Sequence, residues 1–349
     1  MAVDILPERQ VRSGLARVFP WVDTRKTWRA HQPGKLVDNP FMLTSMRFCK
    51  SLAISVLRGF FITLLWHATI ALAASDGMLW KIQAADGPIS YLFGTIHVDD
   101  ARVATLTEPI STALETVQVF MMEVLPSNDV SPYYMKEGSL AQWLTSAELE
   151  QVYAAADFHG LPREMAVRMK PWLLAMVFDL PVSQSPYTLD AKLYLQAQKS
   201  GKRLQALESQ QEHFATLENL AMDEQLLLLR SVLKRSQEQK KQDFELMISA
   251  YLSGDPEQVA AIDQTLSAED IPAELWDRLR IDLLDKRNVR MAERIASAAR
   301  QQSIFVAVGA AHLPGNDGLL ARLRQMGFVV MPAGTEARAG YNLPIPVPE

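Results

Sequence analysis

Two stretches at opposite ends of the chain share one design, and that design limits the fold more than anything else in the sequence. "YLFGTIHVDD" (Tyr91 to Asp100) and "SIFVAVGAAHLPG" (Ser303 to Gly315) are each an apolar, β-prone run that closes on Gly-x-x-His. Short continuous apolar runs of this kind fit strands buried on both faces. A glycine at the end of such a strand lets the backbone turn sharply and leaves room for another group to come close. The histidine then leaves the core over the strand end. If both runs enter one sheet as equivalent units, His97 and His312 meet at the same edge.

The flanking segments repeat as well. "MLWKIQAAD" and "PISYLFGTIHV" surround the turn signal Asp86-Gly87-Pro88, which predicts a hairpin. "EPISTALETV", with Pro109 suited to a first helical turn, leads into the strand "VQVFMMEVLP", which carries Glu123. After His312, Asn316 or Asp317 is a candidate cap for a helix stopped by Gly327 before a final strand. Each motif is thus followed by a loop, an amphipathic helix and a second apolar strand, the outline of a duplicated half-unit.

Between the ends the pattern is helical. Thr145 and Glu148 form a capping box. "TLDAKLYLQAQKS" predicts a helix closed by Gly201, then a short strand from Arg203 to Leu207 that ends on Glu208. A long Leu/Gln/Lys-rich segment follows over 210–251, with "KRSQEQKKQD" expected as a solvated helix face. "AELWDRLRIDLLDKRNVRMAERIASAARQ" is expected as one helix. The expected fold class is α/β (α+β), a central mixed sheet built from both ends with a large helical subdomain inserted at about 138–300.

Composition bounds the function. The chain has 349 residues, 48% hydrophobic and 21% charged, enough for one large or two modest domains. Its single cysteine, Cys49, excludes an intramolecular disulfide framework and a CxxC metal site. "MRFCKSLAISVLRGFFITLLWHATIALAAS" combines basic residues, an apolar run of about 14 residues and an A-x-A site, the anatomy of a secretory signal peptide. The alternative is an uncleaved N-terminal anchor, the one case in which membrane contact is expected. Residues 1–45 are expected to be a spurious or disordered extension before a start at Met46. The signal peptide would then span 46–73, the main domain 74–340 and an irregular tail 341–349. Residues 74–349 hold 25 Lys/Arg against 36 Asp/Glu, a net charge of −11 with no basic cluster, which argues against nucleic acid. The expected location is periplasmic or secreted.

Imidazoles and a carboxylate are a common donor set for Zn, Mn and related ions. His97, His312 and Glu123 would make a two-histidine, one-carboxylate site with open positions. Glu208 ends its strand as Glu123 does, and His213 follows close enough to line the same cleft. Asp99 and Asp100 are candidate partners for the second ring nitrogen of His97, or simply loop residues. His159 stands where a helix should end, a place where a histidine meets the helix dipole favourably. Trp143, Trp172, Met176 and Trp276 occupy core-like positions. P-loop, G-x-S-x-G and HExxH patterns are all missing.

In this order, "YLFGTIHV", "FMMEV", "LDAKLYLQAQKSGKRLQALES", "LLDKRNVRMAERI" and "VGAAHLPGNDGLLARLRQMGFVV" resemble the TraB/GumN family. That family is related to the Tiki metalloproteases and more distantly to erythromycin esterase and ChaN-like proteins. The resemblance covers about residues 77–332, and the paired GxxH motifs are its most specific part. It implies divalent-metal binding at His97 and His312, and at Glu123. Asp190, Glu208 and Arg287 match further recurrent positions to which it assigns no role.

The expected function is an exported metallohydrolase that uses Mn, Co or Zn to cleave a peptide or small amide-containing substrate. Glu123, Glu208 and His213 are the candidate acid–base groups, with Gly94, Gly309, Asp190, Arg287 and Asp99 supporting the site. The alternative is a non-catalytic metal- or haem-binding envelope protein.

Overall fold

The computed structural model describes residues 75–335 apart from Pro186 and residues 269–270. The expected extension over 1–45, the leader over 46–73 and the tail over 341–349 lie outside the described residues. Among the described residues, no helix is long and apolar enough to cross a membrane.

The fold is α/β around one mixed sheet. Its strands are β1 (Leu79–Gln83), β2 (Ser90–Thr95), β3 (Val119–Met122), β4 (Arg203–Ala206), β5 (Ile304–Gly309) and β6 (Val329–Pro332), in the order β4-β3-β5-β2-β1-β6. The expected hairpin is β1–β2, antiparallel, with Leu79 opposite Phe93. β2 and β5, which carry the two glycine–histidine motifs, are adjacent and parallel, with Thr95 opposite Gly309. β3 lies on the other side of β5 and β4 beyond it, both parallel. The carboxyl ends of β4, β3, β5 and β2 therefore share one edge, where side chains in parallel α/β sheets meet ligands.

Period-2 alternation sorts the buried strands onto two faces. Phe93, Phe120 and Phe305 point to one face. There they pack with Ile110 and Leu114 of α1 (Glu108–Thr116). Leu92, Val119 and Val306 point to the other, against Leu319 and Leu323. Pro109 lies in the first turn of α1, and Gly327 adopts a φ of 85° just beyond the helix Leu319–Gln325, as the sequence suggested. The helices after the two motifs pack on opposite sheet faces. The motifs also differ locally, because β2 runs into a loop whereas β5 runs into a 3-10 turn, Ala310–His312. The cap expected at Asn316 or Asp317 is instead Gly318, with no side-chain bond; Asp317 pairs with Arg322.

The helices between 138 and 300 divide among three cores. α2 (Ser146–Phe158) carries the expected Thr145–Glu148 capping box. With the short α3 (Arg163–Ala166) and with α4 (Pro171–Asp179), it packs into a second core that also takes in Leu226, Leu229, Leu275 and Leu279 from later helices. α5 (Leu189–Lys199) instead packs on the α1 face of the sheet. The long segment over 210–251 is three helices: α6 (Gln210–Glu218), α7 (Met222–Lys234) and α8 (Gln237–Leu252). Capping boxes at Ser209–Glu212 and Ser236–Gln239 start α6 and α8. α9 (Pro256–Ala268) follows α8 and packs beside it, its Val259 in the α1-face core.

The charged run there is not simply a solvated face. Arg235 pairs with Asp179 and Asp243, and the buried Lys240 donates to the Phe178 carbonyl at 2.9 Å. The last expected helix is two, α10 (Ala273–Arg280) and α11 (Lys286–Ala299), joined by a π turn at Ile281–Asp285. Of the four residues expected in the core, Trp172 is buried, but Trp143 (48% exposed) and Met176 (54%) face solvent.

Candidate metal centre

The strand order puts Glu208, Glu123, His312 and His97 along one edge, and the side chains of the last three turn toward a space beside Gly309. A β-carbon built on Gly309 would stand 3.4 Å from Glu123 Oε1, 3.5 Å from His97 Nε2 and 3.7 Å from His312 Cδ2. The φ of Gly309 is −53°, open to any residue, so glycine matters here for the space it leaves and not for a turn. Gly94 serves a different need. A β-carbon there would press on Leu313 Cδ1 at 2.7 Å and the Ala310 α-carbon at 3.2 Å, so this glycine lets the second motif pack against the first. Its carbonyl accepts from the buried Tyr251 hydroxyl of α8 at 2.8 Å.

Both imidazoles are held from behind. His97 Nδ1 lies 2.9 Å from Asp190 Oδ2, and Thr95 Oγ1 donates to Asp190 Oδ1 at 2.6 Å. His312 Nδ1 lies 2.7 Å from Asn288 Oδ1, while Asn288 Nδ2 donates to the Asp317 carbonyl at 3.0 Å. That second bond fixes the amide, so its oxygen faces the ring and His312 Nδ1 carries the proton. Such partners fix a ligand histidine's tautomer and leave Nε2 as the donor atom.

The two rings differ electrostatically. Burial pushes His312 down to about 4, which keeps it neutral. The Asp190 carboxylate pushes His97 upward, moderated by water because the ring is 52% exposed. Asp99, expected as a partner for His97, turns elsewhere: it accepts from the Ser185 N–H at 2.5 Å and the Ser183 hydroxyl at 3.2 Å. Asp190 on α5 holds the nitrogen instead. Asp100 binds Arg102.

Glu123 divides its two oxygens. Oε1 accepts from the Gly309 N–H at 2.7 Å and lies 3.9 Å from His312 Nε2. Oε2 lies 2.5 Å from Arg287 Nη2. Burial opposes ionisation of Glu123, but Arg287 and the surrounding histidines hold it well below the usual carboxylate range. Glu208, with no side-chain exposure, faces Arg287 through Oε2 and Arg290 through Oε1. Against the cost of burial, the adjacent His213 and Arg287 bring it down to about 2. Each oxygen of Glu208 thus faces a guanidinium.

His213, on α6, places Nδ1 at 2.9 Å from Arg287 Nη2. A guanidinium only donates, so Nδ1 accepts and the proton of the neutral ring sits on Nε2. Glu123, Glu208 and His213 offer ligand atoms all within 4.8 Å of one another, a group that could hold a metal ion.

Sequence reasoning missed Asn288, which follows Arg287 directly and is buried on α11. The available signal was a polar pair on the inward face of an amphipathic helix.

The model of the TraB/PrgY/gumN family matches residues 78–332, which spans all of these groups. The chain belongs to that family. Among curated relatives of this family member, the metalloprotease TIKI2 of Xenopus tropicalis is 26% identical over 319 residues, covering 74% of this chain and 60% of that one. The metalloprotease TIKI1 of Homo sapiens is 25% identical over 327 residues, 76% of this chain and 64% of that one. An uncharacterized protein of Treponema pallidum is 23% identical over 275 residues, covering 72% and 81%. The chain thus spans under two thirds of the length of these Tiki relatives. No solved structure matches it.

Proposed function

We propose that the protein is an exported, divalent-metal-dependent hydrolase that cleaves a peptide or small amide-containing substrate. One observation carries this reading. His97 Nε2, Glu123 Oε1 and the His312 ring surround the empty β-carbon position of Gly309, and each imidazole is held by a partner on its other nitrogen. A methyl-sized space between two aimed histidines and an ionised carboxylate suits a cation with positions left for water and substrate.

A divalent ion bound there would polarise a carbonyl and make a water more acidic. The chain's own groups do the rest. Asp190 and Asn288 orient the two donor nitrogens. Glu123 Oε1 serves as third donor or takes the proton from the attacking water. The proton that Glu123 takes from the water passes to the leaving amine, while the neutral His213 ring can donate a hydrogen bond from Nε2 to a substrate oxygen within reach. Arg287 and Arg290 keep Glu208 charged and still. Relatives named as metalloproteases support the peptide-bond reading, and the leader-like segment over 46–73 supports export.

The test is metal content and peptidase activity of the purified protein beside His97→Ala and His312→Ala. The expected result is a bound divalent ion and peptide cleavage in the parent, with both lost in each variant while circular dichroism is unchanged. Full metal occupancy in either single variant would remove the shared site.

A further inference from the structure

The guanidinium of Arg287 sits where a second metal ion would. Its Nη2 lies 2.5 Å from Glu123 Oε2, 2.7 Å from Glu208 Oε2 and 2.9 Å from His213 Nδ1. Those acceptors belong to the three residues whose ligand atoms cluster within 4.8 Å. His213 Nδ1 is in turn 3.6 Å from Glu123 Oε2 and 3.5 Å from Glu208 Oε2, so three acceptors ring one nitrogen.

Two buried carboxylates this close cannot both stay ionised without a cation between them. The fold supplies that cation from its own chain. Nε donates to Glu208 Oε2 at 2.9 Å and Nη1 to the Leu283 carbonyl at 3.2 Å. The Leu283 carbonyl lies in the π turn, where the Lys286 N–H reaches back five residues to Ile281. The wider turn departs from the regular i→i−4 ladder, and one of its carbonyls anchors the guanidinium.

We infer that Arg287 is a built-in second cation: it occupies the Glu123–Glu208–His213 position and restricts the centre to one metal ion, beside Gly309. Glu123 then bridges two cations as a carboxylate does in a two-metal site, with Oε2 on the arginine and Oε1 toward the histidines. The inference rests on the metal-centre reading for its first ion only, since the second position is defined by residues that reading does not need.

The experiment counts metal ions per chain after equilibration with excess Zn²⁺ or Mn²⁺ and removal of unbound ion. Four proteins are compared: the parent, Arg287→Met, His97→Ala/His312→Ala, and the triple variant. The expected counts are one, two, none and one. Thermal unfolding gives a second readout. Arg287→Met and the triple variant should be destabilised without metal and recover with it, because the freed carboxylates bind an ion only when folded.

Two ions in the parent would overturn the inference. So would a folded triple variant that binds none. A parent that binds no metal would remove the reading of the histidine site, while one ion in the triple variant would still uphold the role of Arg287. If the Arg287 variants fold only in the presence of metal, the inference is supported. If they fold under neither condition, the parent count decides.

Discussion

An alanine at position 309 would set its β-carbon among Glu123 Oε1, His97 Nε2 and the His312 ring at 3.4–3.7 Å, with a backbone that already suits it. Gly309→Ala should therefore fold with nearly unchanged stability and lose at least about tenfold in metal affinity, since a methyl fills the space an ion needs. Calorimetric titration with Zn²⁺ beside urea unfolding checks both halves. Gly94→Ala should do the reverse. Its β-carbon meets Leu313 and Ala310 at 2.7–3.3 Å, and overpacking of this kind costs roughly 1–3 kcal/mol. The sequence exposed both glycines but not the difference between them, because a motif records spacing and not which neighbour fills the gap.

His159 makes the same point about environment. It caps α2 as the sequence suggested, yet its ring packs on Phe178 at 5.5 Å near Lys240. Burial and that ammonium push it down to about 4, so the dipole does not keep it charged. The unfolded ring titrates near 6.5, so between pH 4 and 6.5 the unfolded chain binds the extra proton and stability rises with pH. Replacing it by Gln should shrink the stability loss between pH 7 and 4.5 in urea titrations. An unchanged loss would mean the ring is not held neutral.

At the scale of elements, α11 organises the centre from one helix. Arg287 reaches Glu123 and Glu208, Asn288 holds His312, Arg290 holds Glu208, and Arg294 binds the Leu207 carbonyl and Glu212. The apolar stripe of Met291, Ile295 and Ala299 fixes the face on which these groups appear. That stripe made the helix legible from sequence. The π turn before it was not legible, because "RIDLLDKR" contains no glycine or proline to mark a break and the wider turn is stabilised by tertiary bonds, such as Thr216 Oγ1 to the Asp282 carbonyl. The starts of α6 and α8 were legible in principle, as Ser209-x-x-Glu212 and Ser236-x-x-Gln239, but the surrounding Leu/Gln/Lys pattern runs through both breaks.

Asn288→Ala tests the element's role. It removes the acceptor that keeps the proton on His312 Nδ1, and loss of such a partner costs about 10- to 100-fold in metal affinity. A metal titration of the variant checks this, with circular dichroism to confirm the helix. Affinity within twofold of the parent would mean that the packing of His312, and not its hydrogen bond, sets the ring.

For the molecule as a whole, the centre joins residues that are far apart in the chain. His97 and His312 are held by strands paired in parallel across more than two hundred residues of intervening chain, and Glu123 arrives on a third strand between its own helix and the helical region. The sequence suggested this meeting because the two motifs looked alike. In the fold their strands are parallel neighbours, and one leads into a loop and one into a 3-10 turn. The helices that follow cover opposite faces, as crossovers running in opposite directions along a sheet require. What brings the two histidines together is the shared strand end. An unfolded chain cannot hold these donors together, so an ion that binds the centre stabilises the native state by mass action. At an ion concentration 100 times the dissociation constant, that amounts to about 2.7 kcal/mol. For a domain of this size it corresponds to a rise in Tm of roughly 5–10 °C. Thermal unfolding of the parent with increasing Zn²⁺ should show the rise, and a chelator should reverse it. His97→Ala/His312→Ala should unfold at one temperature whatever the ion concentration. A rise of equal size in that variant would place the stabilising ion elsewhere, and the two histidines would lose their claim to be the clamp that links the ends of the chain.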